Sequence, residues 1–306
     1  MRVAVTGASG FIGAAVVRAL RAAGHTVEPF GRRDIATLRS PMPGYGMWDI
    51  GRDIRPCEVD AVVHCAAAVG QWGAPDVYWR TNVHGTANVV ASVPATARMV
   101  YISTASVYAV AHSDAPIPES ASSVSRPLSV YGRSKLAAEH IVLTSGRPAI
   151  VLRPHIVYGP GDTTLWPRVV AARRNASIRI PGTGANAVSV THVDNLLIAI
   201  LLAVHDGAPS GIYNVADREA VTVDELLRTM FRRRNLPTSI RYVPRSLAWT
   251  AATAMEVFWK ATARRGEPIL TRYAVRGLAD PCVLNLSRAY AQLEYQPRWT
   301  FRDGPL

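Results

Sequence analysis

Lysine is nearly missing from this chain: of 34 basic residues only Lys135 and Lys260 are lysines, the rest being arginine. Cysteine is scarce as well. Cys57, Cys65 and Cys282 form no CxxC pair and no metal-ligand spacing, which excludes a zinc module and a disulfide framework. An odd count in a long chain suits a reducing compartment. No run of about 18 apolar residues is present to span a membrane. The first strand begins at Arg2, which leaves no room for a signal peptide ahead of it, so a soluble cytoplasmic protein is expected. Internal repeats and low-complexity tracts are absent. With 306 residues, 49% of them hydrophobic and 18% charged, the chain can bury the core of one large domain or two unequal ones, which excludes disordered and fibrous classes. The net charge of +12 fits either a solvated basic surface or attraction to an anionic ligand such as a dinucleotide phosphate. No aromatic-interleaved basic stretch is present, and no nucleic-acid partner is expected.

The first half alternates short apolar runs with helical patterns. Strands are expected at Val3–Thr6, His25–Phe30, Asp60–Ala66, Met99–Ser103 and Ala149–Arg153, and helices at Phe11–Ala23, Val77–Ser92 and Ser129–Ser145. Strands alternating with helices predict an α/β fold, a doubly wound parallel sheet covered on both faces, with ligands at the C-terminal strand edge. After Arg153 the pattern loosens. Helices are expected at Val193–Val204, at Thr222–Arg234 with Thr222 and Glu225 as a capping box, and at Ser246–Ala263, which is apolar and Trp-rich. The expected division is residues 1–152 plus about 188–206 as a dinucleotide-binding domain, and about 153–187 plus 207–306 as a smaller α/β substrate domain.

Three motifs carry chemistry. Thr6–Gly13 reads TGASGFIG between a strand and a helix. Gly7 suits a tight turn, Gly10 lets a pyrophosphate approach the backbone, and Gly13 lets helix and strand pack closely, while the helix N-terminus offers free N–H groups. Tyr131–Lys135 reads YGRSK on a predicted helix, where residues four apart share a face and an ammonium can lower a phenol's pKa. Ser103–Thr104 ends the strand MVYIS, where a hydroxyl could donate to a carbonyl.

In this order and spacing the motifs resemble the extended short-chain dehydrogenase/reductase family, which includes sugar-nucleotide epimerases and dehydratases. The resemblance runs on through WDI at Trp48–Ile50, VVHCAAAVG at Val62–Gly70, NVHGTANV at Asn82–Val89, STASVY at Ser103–Tyr108, LRPHIVYGPGD at Leu152–Asp162 and VTHVDN at Val190–Asn195. It implies a Rossmann fold and a nicotinamide cofactor. It implies that Thr104, Tyr131 and Lys135 are catalytic, with Ser103 the neighbour to test second. It implies that Asp49 and Ile50 hold the adenine, and that Gly7, Gly10, Phe11, Ile12, Cys65, Ala66, Ala67, Asn82, Tyr131, Lys135 and Pro154 contact the cofactor. Relatives often dimerise through two helices each, so a homodimer is open.

Departures from the family pattern narrow the reading. NAD-specific relatives end strand two with an acid, where this chain has Gly31, Arg32 and Arg33. Arginines there would bind a 2′-phosphate, so NADP(H) is expected over NAD(H). Where sugar-nucleotide members usually carry an Asn and an Arg, this chain has Ile156 and Val188, which argues against a nucleotide sugar. Glu267–Tyr273, Asn285–Ala289 and Leu293–Pro297 are similar to the 3β-hydroxysteroid dehydrogenase branch. That branch implies that Leu247–Trp259 helps to line an apolar pocket. The expected activity is reduction of the carbonyl of an apolar, polycyclic or long-chain small-molecule substrate. A nucleotide-sugar epimerase or 4-ketoreductase is the enzymatic alternative, and a non-catalytic dinucleotide-binding regulator the other.

Overall fold

The computed structural model describes residues 1–306 apart from 39, 71, 109–114, 124–126, 263 and 265 and the side chains of 122 and 123. The first half is built from β1 (Arg2–Thr6), α1 (Phe11–Ala22), β2 (Thr26–Gly31), β3 (Gly46–Met47), β4 (Ala61–His64), α2 (Pro75–Tyr78), α3 (Gly85–Ser92), β5 (Arg98–Ile102), α4 (Val130–Leu143) and β6 (Ala149–Pro154). The second half has β7 (Val157–Tyr158), α5 (Leu165–Ala172), β8 (Ser177–Pro181), β9 (Ala187–Val188), β10 (Thr191–His192), α6 (Val193–Val204), β11 (Gly211–Val215), β12 (Val221–Thr222), α7 (Val223–Arg233), β13 (Ser239–Val243), α8 (Arg245–Ala261), α9 (Arg272–Ala279) and α10 (Ser287–Leu293).

Seven strands form one sheet in the order β11-β6-β5-β4-β1-β2-β3. Every pairing in it is parallel. The apolar runs explain this. Strands β4, β5 and β6 are buried along their whole length, as both faces of a helix-covered sheet must be. One face packs Val3, Val5 and Val63 against Val16, Val17 and Leu20 of α1 and Leu196 and Ile200 of α6. The other packs Ala4, Val62, Met99 and Tyr101 against Val89 of α3 and Ala138 and Val142 of α4. The chain reverses direction across the sheet between β1 and β4, and this switch point opens the crevice where ligands bind in such sheets.

The seventh strand, β11, lies beyond residue 207, in the segment assigned from sequence to the substrate domain. Its five residues pair with Ile150–Pro154, far away in the chain, so no local pattern announces the partnership. The later elements have a core of their own, in which Ile178 and Ile180 of β8 meet Leu226, Leu227, Met230 and Phe231 of α7. Thr222 caps α7 by accepting from the Glu225 amide at 3.1 Å, but the Glu225 carboxylate pairs with Arg302. The Trp-rich helix runs Arg245–Ala261; Ala263, at the end of its expected span, lies outside the described residues. Among the described residues no helix is long and apolar enough to cross a membrane, and no His/Cys/Asp/Glu group is placed to hold a metal.

Candidate active site

The glycine turn sits at the switch point. Gly7 takes φ +68°, and a Cβ there would lie 2.7 Å from the Ala66 nitrogen, so the turn presses against the chain leaving β4. A Cβ on Gly13 would lie 2.2 Å from the Gly7 carbonyl, which fixes how closely α1 approaches β1. A Cβ on Gly10 would meet the Gly7 carbonyl at 3.3 Å and no other heavy atom within 4 Å, so this side is open to a ligand. No side chain caps α1 and no acid stands in its first turn, so its N-terminus suits an anion. These residues fit a dinucleotide pyrophosphate.

Cys65, Ala66 and Ala67 follow β4 on the same edge, and burial pushes the Cys65 thiol up to about 12. Asn82 lies in a widened π turn, Trp79–His84, that joins α2 to α3. Such turns break the regular ladder, and here the turn sends Asn82 inward to bond the Ala68 amide at 2.7 Å and Ser134 Oγ at 2.9 Å. Ile50 is buried against Gly85, and Asp49 accepts from the Gly51 amide at 3.1 Å. Arg32 and Arg33 are exposed at the end of β2, with Arg33 Nη1 donating to the Ser9 carbonyl at 3.0 Å. Asp34, the nearest acid, accepts from the Ala36 amide and caps the turn that follows.

Tyr131 and Lys135 lie on α4, which Ser129 begins by accepting from the Gly132 amide at 2.9 Å. A Cβ on Gly132 would come within 2.3 Å of the Ser106 carbonyl, so only glycine lets α4 close onto the segment after β5. That closure brings Tyr131 near Thr104, which acts on its phenol. Burial raises the Tyr131 pKa, Tyr273 adds to the rise, and Thr104 and Arg168 oppose it. The phenol therefore stays protonated at neutral pH. Burial lowers Lys135 to about 7, with Glu139 opposing. The Lys135 ammonium donates to the Ile102 carbonyl at 2.6 Å and stands 3.9 Å from the Tyr101 ring centroid.

Ser103 and Thr104 part company. The Ser103 hydroxyl donates to Glu139, whose carboxylate also receives Arg153 Nε at 2.9 Å and Nη2 at 2.5 Å. This buried pair ties α4 to β6. Thr104 faces the crevice, where its Oγ1 accepts from the Ser106 amide at 3.2 Å, and Ser106 Oγ bonds the Tyr273 hydroxyl at 2.6 Å. A hydroxyl chain therefore runs from Thr104 through Ser106 to Tyr273 on α9. Glu139 repeats the four-residue spacing of Tyr131 and Lys135, a signal present in the sequence but not used. Ser106 and Tyr273 are 167 residues apart, and nothing local pairs them.

A cleft opens beside this chain. It is lined by Ala105, Ser106 and Tyr108 after β5, Leu128 before α4, His155 after β6, Tyr273 and Arg276 of α9, and Pro281 and Cys282 beyond it. None of Leu247–Trp259 lines it. The inner face of α8 is used instead to hold α9, through Ala248, Ala252 and Trp249 against Val275 and Leu270. Ile156 takes a left-handed backbone, φ 44°, which Asn adopts readily and a β-branched residue does not. Its side chain packs on the second core, and Val188 is fully buried there.

A wholly parallel, doubly wound sheet with a glycine turn and a tyrosine–lysine helix at its switch point defines a nicotinamide-dependent oxidoreductase. The chain belongs to the NAD dependent epimerase/dehydratase family, whose model matches residues 3–216. It is similar to a 2-alkyl-3-oxoalkanoate reductase of Stenotrophomonas maltophilia, 30% identical over 99% of this chain and 97% of that protein. A 3 beta-hydroxysteroid dehydrogenase/Delta 5-->4-isomerase of Mycobacterium tuberculosis is 26% identical over 99% of this chain and 88% of that one. Among solved structures, MoeE5 in complex with UDP-glucose and NAD matches with a TM-score of 0.75 at 25% identity, over 99% of this chain and 96% of that one.

Proposed function

We propose that this chain is an NADP(H)-dependent ketoreductase in which Tyr131 protonates the carbonyl oxygen of an apolar ketone. The observation that carries the reading is the glycine turn at the sheet's switch point together with Tyr131 and Lys135 one turn apart on α4, with Thr104 near enough to Tyr131 to act on its phenol. Burial keeps the Tyr131 proton in place, which suits an acid in the reducing direction. Thr104 hydrogen-bonds the same carbonyl oxygen and so fixes its position beside the phenol. Lys135 faces the cofactor's ribose. The nicotinamide, when bound, supplies the hydride. Gly7, Gly10 and the N-terminus of α1 hold the pyrophosphate, and Arg32 and Arg33 meet the 2′-phosphate.

An apolar substrate is supported by Ile156 and Val188, whose side chains serve the core where sugar-nucleotide relatives carry polar groups. The reductase and steroid dehydrogenase relatives, by their names, act on substrates of that kind. Turnover of a ketone panel with NADPH and NADH tests the reading. Tyr131→Phe should keep cofactor binding and lose turnover by about 10²–10⁴-fold, as expected for a lost general acid. A Phe variant with wild-type turnover rejects the assignment.

A further inference from the structure

We propose that Tyr273 on α9 is a positioning residue for the reaction, which donates to Ser106 and so turns the Thr104 hydroxyl proton towards the carbonyl of the substrate. This rests on the ketoreductase reading and adds to it a residue from the far half of the chain.

Three hydroxyls stand in line. Thr104 Oγ1 lies 3.1 Å from Ser106 Oγ, and Ser106 Oγ lies 2.6 Å from the Tyr273 hydroxyl. The Ser106 amide also donates to Thr104 Oγ1 at 3.2 Å. Each hydroxyl has one proton, so the line can run in two orders. In the first, Thr104 donates to Ser106 and Ser106 to Tyr273. The Thr104 proton is then held inside the line and does not reach a carbonyl. In the second, Tyr273 donates to Ser106 and Ser106 to Thr104, which leaves the Thr104 proton to point into the crevice. Thr104 can assist a ketone in the second order alone.

The chemistry favours the second order once a carbonyl is present. A phenol is more acidic than an aliphatic hydroxyl, so between Tyr273 and Ser106 the phenol is the better donor. Tyr273 keeps its proton at neutral pH, since burial raises its pKa. Hydrogen bonds aligned head to tail strengthen one another, so donation by Tyr273 is felt at Thr104. No proton leaves the line. Tyr131 gives its own proton to the carbonyl oxygen as the hydride reaches the carbon.

The fold holds the phenol where this requires it. Tyr273 lies in the first turn of α9, which Thr271 begins by accepting from the Ala274 amide at 3.1 Å. Its neighbour Arg272 is clamped to α8, where Glu256 accepts from the Arg272 amide at 2.8 Å and from its Nε at 2.9 Å. Glu256 is buried on the inner face of α8, one turn from Ala252, and it fixes this turn of α9. Val275 is fully buried against Ala248 and Ala252. Tyr273 and Ser106 then line one cleft with Tyr108, Leu128 and His155. Tyr273 also acts on the Tyr131 phenol, so the two phenols belong to one site.

The test uses the full chain, NADPH and the ketone that the wild type reduces fastest among alkyl and cyclic ketones. Tyr273→Phe should lower kcat by about 3- to 10-fold, the range of one neutral hydrogen bond, with KM and NADPH affinity near the wild-type values. The loss should persist in Thr104→Ser, which keeps the hydroxyl. It should vanish in Thr104→Val, read in single turnovers of NADPH oxidation. Ser106→Ala should lower kcat as much as Tyr273→Phe, and the double variant no further than either. A purely structural Tyr273 would lower every background alike and weaken NADPH as well. An unchanged kcat in Tyr273→Phe, a loss that survives Thr104→Val, or losses that multiply in the double variant overturn the assignment while reduction by Tyr131 stands. A Tyr131→Phe enzyme with wild-type turnover, or a wild type that reduces no ketone, overturns the reading beneath and the assignment with it.

Discussion

His64 ends β4 fully buried, its Nδ1 2.6 Å from Thr6 Oγ1 and its Nε2 3.0 Å from Thr86 Oγ1. Burial first, and Lys135 second, push its pKa down to about 3 from the usual 6.5. Below pH 6.5 the unfolded chain takes up a proton that the folded chain refuses. Stability from this group is complete above that pH and falls as pH drops towards 3. The slope is about 1.4 kcal/mol per pH unit. His64→Gln, which cannot titrate, should remove that slope from the unfolding free energy between about pH 6.5 and 4. An unchanged slope would place the acid sensitivity in another group. At this scale the sequence showed which residue types carry chemistry but not their directions. Ser103 and Thr104 are alike in sequence, yet successive side chains at a strand end point to opposite sides. One therefore meets Glu139 and the other Tyr131.

Elements were more legible than contacts, because periodicity and end signals are local. The Val193–Val204 helix is found with the expected bounds, and Gly24, at φ 83°, closes the end of α1, its amide bonding the Arg21 carbonyl at 3.0 Å. The glycine turn makes a prediction that separates packing from binding. Gly13→Ala puts a Cβ 2.2 Å from the Gly7 carbonyl and must push α1 off β1, with a stability loss of about 1–3 kcal/mol. Gly10→Ala meets only a 3.3 Å neighbour, so it should unfold near the wild-type temperature and still bind dinucleotide more weakly. Equal midpoints for the two variants would refute the split. The end of β2 makes another. Arg32 and Arg33 are exposed and Asp34 is held by its own turn, so changing both arginines to Ala should weaken NADPH and leave NADH little altered. Fluorescence titration measures both, and equal affinities in the wild type would remove the arginines from the cofactor site.

At the scale of the whole molecule the sequence gives layers more readily than closure. β11 and the last twenty residues join the two halves through contacts between distant segments, and no window of sequence holds both partners. Tyr295 packs in the first core and Phe301 in the later one, so the C-terminal segment spans both. Asn195 of α6 is the hub of that closure. Its Nδ2 donates to Asp217 Oδ1 and to the Trp299 carbonyl, each at 2.7 Å, and its Oδ1 accepts the Arg298 and Trp299 amides at 2.7 and 3.0 Å. Asn195 is fully buried. Asn195→Ala leaves a buried carbonyl and two amides without this partner, each costing on the order of 1 kcal/mol or more, so a loss of about 3 kcal/mol is expected. The loss should be local first. Trypsin should cut at Arg288, Arg298 or Arg302 faster in the variant than in the wild type, before the midpoint of global unfolding. The alternative is that packing of Tyr295 and Phe301 alone holds the segment. In that case the variant would show the wild-type cleavage rate and an unaltered thermal midpoint, and the bonds to Asn195 would be incidental to joining the two halves.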